Sequence, residues 1–164
     1  MKRCDLLRTV SRWVLVALCA AFLSAPPASA EDDGALINKD ADNVAIEGYD
    51  TVAYFTEAQA VKGKSEFELI WQDARWRFFN STHRDLFAAK PERYAPQFGG
   101  HCAGAMTRGV VVRADPEAWT IVDGKLYLKV TKQDRDQWRK NVAENIKKAN
   151  GAWAEMTEEN ENYR

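Results

Sequence analysis

The stretch Trp119-Thr120-Ile121-Val122-Asp123-Gly124-Lys125-Leu126-Tyr127-Leu128-Lys129-Val130 carries the clearest fold signal in the chain. Two short runs of β-branched, aromatic and aliphatic residues flank an Asp-Gly pair. Asp-Gly is a preferred two-residue turn between antiparallel strands, because both of its residues tolerate positive φ. The sequence therefore predicts a β-hairpin over residues 119–130.

A second hairpin is predicted earlier in the chain. Residues Phe67–Trp71 and Trp76–Phe79 are rich in aromatic and β-branched residues, and four mostly polar residues separate them. This pattern is typical of two strands and a connecting turn. Residues Asp115–Ala118, which include Pro116, are expected to form a turn ahead of the hairpin at 119–130.

Helices are predicted at three places. Ser81 or Thr82 has the hydroxyl of an N-cap, and Pro91 closes the helix that follows. The small residues at 101–106 are expected to form a short helix. From Gln133 onward the apolar residues recur with a helical period; these are Trp138, Val142, Ile146, Ala149 and Trp153. The fold class is therefore α+β, a small single domain with antiparallel hairpins, short helices and a longer C-terminal amphipathic helix.

Residues 1–30 are expected to be a secretory signal peptide. A basic start precedes Trp13–Leu23, eleven apolar residues that are too few to cross a bilayer, and a small-residue pattern ends at Ala30. Cleavage after Ala30 predicts an exported, periplasmic protein without stable membrane insertion. The remainder is expected to be a flexible lead-in at 31–43, a domain at 44–156 and a flexible acidic tail at 157–164.

Removing the leader changes the charge of the chain. Four of the 23 basic residues and one of the 24 acidic residues lie in residues 1–30, so the rest carries a net charge of −4. A mildly acidic surface argues against nucleic acid as a partner, because that binding needs a basic face. About 134 residues are enough for one domain with its own core.

Removing the leader also leaves one thiol. Cys4 and Cys19 lie in the leader, so Cys102 is the only cysteine in the rest of the chain. A single cysteine in an exported protein is buried and inert, cross-linked to another chain, bound to a metal or chemically active. Gly99 and Gly100 precede it and allow close approach, and a helix starting at Cys102 favours the reactive thiolate. Packing as a small core residue is the alternative.

Three further residues are candidate metal ligands with Cys102. Met106 lies four residues later, so a helix would place both sulfurs on one face, and a thiolate with a thioether suits copper(I). His101 and His83 are candidate nitrogen donors, although each has a structural alternative. Asp50 either caps a helix or turn, or orients a histidine as its hydrogen-bond partner.

Several motifs together resemble one family, the YHS domain family, in its exported YHS domain-containing (seleno)protein branch. Gly48–Phe55 resembles the family opening GYDPVAYF, and Phe78–Phe87 with Pro91–Tyr94 resembles the segment after its hairpin. Tyr94–Ala103 resembles the family core YAPQYGGYCA, and Asp115–Trp119 extends the match. The resemblance covers roughly residues 44–149.

The resemblance implies heavy-metal binding, because related modules occur in copper-transporting pumps. It also implies that Cys102 matches a position that can be selenocysteine. The chain departs from the metal pattern, since Phe79 and His83 stand where those modules carry cysteines and Ala53 replaces another. His83 thereby matches a ligand position, while a cage of thiolates within one chain is excluded.

Three functions follow as expectations. The first is soft-metal binding or transfer through Cys102, with copper(I) as the ion, a metal-transfer partner protein, and Met106, His83 and His101 as co-ligands. The second is a thiol-based redox protein with Cys102 as catalytic nucleophile and a redox partner protein. The third is a non-catalytic adaptor of the cell envelope in which Cys102 is buried.

Overall fold

Both predicted hairpins are present in the structure, a computed structural model that describes residues 36–162, with side chains to residue 158. Strands β1 (Lys64–Trp71) and β2 (Ala74–Phe78) pair antiparallel, and strands β3 (Asp115–Val122) and β4 (Lys125–Lys129) do the same. Each turn consists of two residues with positive φ, which matches the right-handed twist of the strands. The predicted signal peptide lies outside the described residues.

The stretch expected to be a turn before the second hairpin belongs to β3. Asp115 pairs with Lys129, and Trp119 already pairs with the next residue of β4, Leu128. Residues 116–118 therefore form an irregular bulge in the strand. Pro116 fits there because a bulge releases its missing N–H from the ladder, and the turn prediction for these residues was wrong.

Six α-helices and three short 3-10 turns complete the described part of the chain. The helices are α1 (Ala53–Thr56), α2 (Ser81–Ala89), α3 (Pro91–Tyr94), α4 (Ala103–Met106), α5 (Lys132–Trp138) and α6 (Val142–Asn162). The 3-10 turns are Ile46–Gly48, Gln97–Gly100 and Arg139–Asn141. The α+β class and the longer C-terminal helix are confirmed.

Helix α2 begins one residue earlier than the hydroxyl pattern indicated. Its N-cap is Asn80, whose side-chain oxygen accepts a hydrogen bond from the His83 backbone N–H at 2.8 Å. Asparagine caps as well as serine does, so the prediction of Ser81 or Thr82 as the cap was wrong. His83 lies in the first turn of α2 and is nearly buried.

The buried side chains form two clusters. The larger one contains aromatic rings from both strands of the first hairpin. The ring of Trp76 in β2 stacks on that of Phe87 in α2. The smaller one joins α4, β4 and the C-terminal helices. Trp138 and Ala149 of the predicted helical stripe belong to it, and the rest of the stripe packs against it. Its buried residues are Phe98, Ala103, Met106, Tyr127, Trp138 and Ala149. Strand β4 contributes to both clusters.

The N-terminal end of the described chain is packed rather than free. Ile37 and Asn38, inside the expected lead-in at 31–43, are 6% exposed. The Asn38 side chain donates to the Gly100 carbonyl at 3.1 Å, and its backbone N–H donates to the Gly99 carbonyl at 2.9 Å. At the other end, α6 extends to Asn162 into the expected acidic tail at 157–164.

Within residues 36–162, none of the helices combines the length and the apolarity that a membrane span requires.

A substitution at Gly99 tests the packing of this N-terminal segment. Gly99 has φ +59°, and a Cβ built there would lie 1.7 Å from the Leu36 carbonyl oxygen. We expect Gly99→Ala to lower the free energy of unfolding by about 2 kcal/mol or more, through left-handed strain and displacement of residues 36–38. Urea denaturation measures the change. In the control Gly151→Ala, where the new methyl meets open space inside α6, stability should rise slightly.

Candidate functional site

A fully buried carboxylate lies at the start of the first helix. Asp50 is 0% exposed, and its Oδ1 accepts from the backbone N–H groups of Val52 at 2.9 Å and Ala53 at 3.2 Å. Its Oδ2 accepts from the Phe79 N–H at 2.8 Å. These bonds cap α1 and fasten the end of the first hairpin to it, so the capping alternative predicted for Asp50 is confirmed.

The same carboxylate orients His83. Oδ2 of Asp50 lies 2.6 Å from His83 Nδ1. Because an ionised carboxylate only accepts, Nδ1 carries a proton and Nε2 is left facing the other way. The second alternative for Asp50, orientation of a histidine, is therefore confirmed as well. An imidazole fixed in this manner is the usual form of a histidine that binds a metal or transfers a proton.

The outer edge of the His83 ring faces a cavity. His83 Nε2 lies 3.4 Å from Thr56 Oγ1 and 3.8 Å from Glu57 Oε1. The cavity has a volume of about 260 Å³. Its polar lining comprises Glu57, Gln59, Asn80 and His83. The Glu57 side chain is 55% exposed and that of His83 is 8% exposed, so the cavity has a buried nitrogen and a solvent-accessible carboxylate.

Cys102 occupies a different part of the fold. It stands at the N-cap position of α4, so the predicted short helix following it is present. Its backbone N–H donates to the Val112 carbonyl at 2.8 Å, and it forms a parallel bridge with Leu128 of β4. The side chain is only 4% exposed and belongs to the larger cluster.

The other two candidate ligands are also buried. Met106 is 0% exposed and belongs to the smaller cluster, although its N–H bonds to the Cys102 carbonyl at 3.0 Å. His101 is 0% exposed at the end of the Gln97–Gly100 turn. Over the part of the chain that the structure describes, no group of three or more His, Cys, Asp or Glu side chains is placed to hold one ion.

A lysine that the sequence reasoning did not single out lies beside Cys102. Lys129 of β4 is 0% exposed, and its Nζ lies 3.6 Å from the centre of the Trp138 ring. A methyl group placed on Gly104 would lie 3.6 Å from this Nζ and 3.7 Å from Cys102 Sγ. Lys129 shares a strand face with Tyr127, and both faces of this strand are buried in the structure. A lysine at the end of a predicted strand gives no signal of this burial in the sequence.

The surroundings of Lys129 make its positive charge unfavourable. Burial lowers the pKa of Lys129 from 10.5 to about 7, while the negative charges of Cys102 and Asp134 act in the opposite direction. Within the described residues its Nζ has no hydrogen-bond partner. The face of the Trp138 ring stabilises the ammonium through a cation–π contact. A buried amine that is partly neutral near pH 7 is unusual and chemically competent.

Comparison with known protein families, with curated proteins and with solved structures found no match. The resemblance to YHS domains therefore stays a prediction from the motifs.

Replacing Lys129 tests its burial. Between its folded pKa of about 7 and its unfolded value of 10.5, the unfolded chain binds more protons, so the stability of the wild type should rise with pH across that window. We expect Lys129→Met to be more stable by about 2–4 kcal/mol at pH 7, with a smaller gain near pH 9. Urea denaturation at several pH values measures the gap. Lys125→Met, at an exposed position of β4, should show no such pH-dependent gap, and a constant gap at Lys129 would contradict the explanation.

Proposed function

We propose that this chain is an exported, periplasmic YHS-like domain that carries a divalent transition-metal ion as cargo on His83, with Glu57 as the second protein ligand. The observation that supports it is the 2.6 Å contact between Asp50 Oδ2 and His83 Nδ1. A carboxylate behind a histidine fixes the ring and raises the basicity of the nitrogen that faces the ion. The family resemblance, in which His83 matches a ligand position, points the same way.

The spacing of the two donors suits a shared ion. His83 Nε2 and Glu57 Oε1 are 3.8 Å apart, and two bonds of about 2.0–2.2 Å span that gap with the ion between them. Both side chains line the same cavity. The remaining coordination positions face solvent, where water or a ligand from a partner protein fits.

The donor types favour a borderline ion over a soft one. Imidazole nitrogen and carboxylate oxygen bind copper(II) most tightly among the common divalent ions, followed by nickel(II) and zinc(II). The expected copper(I) set of Cys102, Met106, His83 and His101 fits the geometry less well. Cys102 and Met106 belong to different clusters, His83 faces its own cavity, and the Lys129 amine beside Cys102 repels a cation when protonated.

An open site of this kind fits transfer better than storage. Two protein ligands leave the ion exchangeable, whereas a closed set of four retains it. The acidic balance outside the leader gives a weak general attraction for cations. A metal-transfer partner that supplies further ligands is therefore part of the proposal.

Copper(II) titration of the full chain tests the site. Serine replaces Cys4 and Cys19 so that thiols of the leader do not compete. We expect His83→Gln to abolish most of the binding and Asp50→Asn to weaken it about 10–100-fold, since the ring loses its orientation. Glu57→Gln keeps the shape of an exposed side chain and should weaken binding less. Calorimetry gives the affinities, and electron paramagnetic resonance of the copper(II) form reports a bound imidazole nitrogen.

Cys102→Ser tests whether the thiol takes part in copper(II) binding. Copper(II) binding should be unchanged in that variant, and loss of binding there but not in His83→Gln would sink the proposal. Titration of the reduced protein with copper(I) against a competing chelator tests the expected soft-metal site at Cys102. Micromolar or weaker copper(I) binding that Cys102→Ser leaves unchanged would remove a copper(I) site at Cys102.

One observation favours the adaptor as a second candidate. Cys102 is 4% exposed, so a bulky reagent has little access to its sulfur. We expect a maleimide to label Cys102 quickly only after denaturation, with labelling measured by mass spectrometry. Fast labelling of Cys102 in the native protein would contradict the adaptor hypothesis. If Cys102 is protected from the maleimide and His83 binds no metal, the adaptor becomes the better-supported function.

A further inference from the structure

A second chemical centre lies away from the His83 cavity. Cys102 Sγ and Lys129 Nζ both border the space above Gly104, at 3.7 and 3.6 Å from the position of a methyl group there. The sulfur comes from the N-cap position of α4 and the amine from the end of β4. The backbone holds these two elements together through the bridge between Cys102 and Leu128.

The lysine makes this more than a lone buried cysteine. Lys129 is fully buried, and within the described residues its Nζ makes no hydrogen bond. A buried ammonium without hydrogen bonds is costly, and no described carboxylate bonds to it. The Nζ of Lys129 lies 3.6 Å from the centre of the Trp138 ring and, on the side of Gly104, 3.6 Å from the methyl position that is also 3.7 Å from the sulfur. Burial holds the pKa of Lys129 at about 7, so a substantial fraction is the neutral, nucleophilic amine near that pH.

Gly104 adjoins both groups and is partly exposed, whereas Cys102 and Lys129 are buried. Because glycine has no side chain, no Cβ fills the space beside the sulfur and the amine. A route for a small oxidant on this side is part of the proposal.

We propose that Cys102 and Lys129 form a modification site for small hydroperoxides, at which oxidation of the thiol ends in a covalent sulfur–nitrogen bond between the two side chains. The proposal does not depend on metal binding at His83, because it uses none of the residues of that cavity.

The chemistry has two steps. The Cys102 sulfur attacks one peroxide oxygen, the O–O bond breaks, and the products are a cysteine sulfenic acid and water or an alcohol. Sulfur loses two electrons and the peroxide gains them. The Lys129 amine then attacks the sulfenic sulfur, an S–N bond forms, and the S–O bond breaks with release of water. The product is a sulfenamide, the type of bond that sulfenic acids also form with a backbone nitrogen.

The bond suits a chain with one thiol in its folded domain. Sulfenic acid normally condenses with a resolving cysteine, and residues 36–162 contain no cysteine besides Cys102. A neighbouring amine replaces the missing thiol and protects the sulfur from irreversible oxidation. Thiol reductants reverse the S–N bond, so the site returns to its starting state.

Mass spectrometry of the peroxide-treated chain tests the proposal, in the background with serine at positions 4 and 19. We expect the wild type to lose two hydrogen atoms relative to the reduced protein and to yield a cross-linked peptide that joins Cys102 to Lys129. Dithiothreitol should restore the original mass. Lys129→Met should instead gain oxygen atoms at Cys102, with a sulfenic acid that dimedone traps when it is added together with denaturant, and Cys102→Ser should not change.

A matched pair of glycine variants tests access. Gly104→Ala places its methyl at ordinary contact distance from both atoms, so it should fold and yet slow the oxidation by hydrogen peroxide severalfold. Gly151→Ala is the control, because its methyl meets open space, and its rate should equal that of the wild type. The proposal fails if Cys102 is not oxidised, if it only gains oxygen, or if the cross-linked form persists in Lys129→Met.

Discussion

The buried carboxylate of Asp50 is the constraint on which the arrangement of the first half of the fold depends. One side chain accepts hydrogen bonds from α1, from the end of the first hairpin and from the histidine of α2. An ionised group taken out of water is tolerated only when such bonds replace its hydration. Three elements that are distant in sequence are therefore obliged to meet at one point, and the cavity beside His83 is a consequence of that meeting.

Strand β4 plays the equivalent part in the second half. It packs into both hydrophobic clusters and pairs with β3, and it carries the bridge to Cys102. A strand with both faces covered has no solvent face on which a lysine can lie. Lys129 therefore enters the core, over the ring of Trp138, and its position beside Cys102 follows from the register of the strand.

The parts of the structure that the sequence predicted are those set by short-range patterns. The hairpins follow from two-residue turns and strand composition, and the C-terminal helix follows from a stripe of five apolar residues. The N-cap of α2 was misplaced by one residue because asparagine and serine compete for that role at adjacent positions. Proline and aspartate are common in turns and in bulges, so the pattern at 115–118 predicts a turn where β3 has a bulge.

The candidate sites were predicted only in part, because they depend on contacts between residues that are distant in sequence. Asp50 and His83 are 33 positions apart, and either alone has ordinary structural explanations. Their pairing depends on packing that no local pattern encodes. Glu57 and Lys129 were not singled out at all, because an exposed glutamate after a helix and a lysine at a strand end are commonplace until the tertiary structure supplies their neighbours.

The contact between Lys129 and Trp138 gives this protein an internal optical reporter. Indole emission responds to a charge above its ring face, and here that charge lies 3.6 Å away. Loss of the ammonium, through deprotonation or through bonding of the nitrogen to sulfur, changes the electric field at one defined indole. The fluorescence of Trp138 therefore follows the state of the buried amine in the intact molecule, without any attached dye.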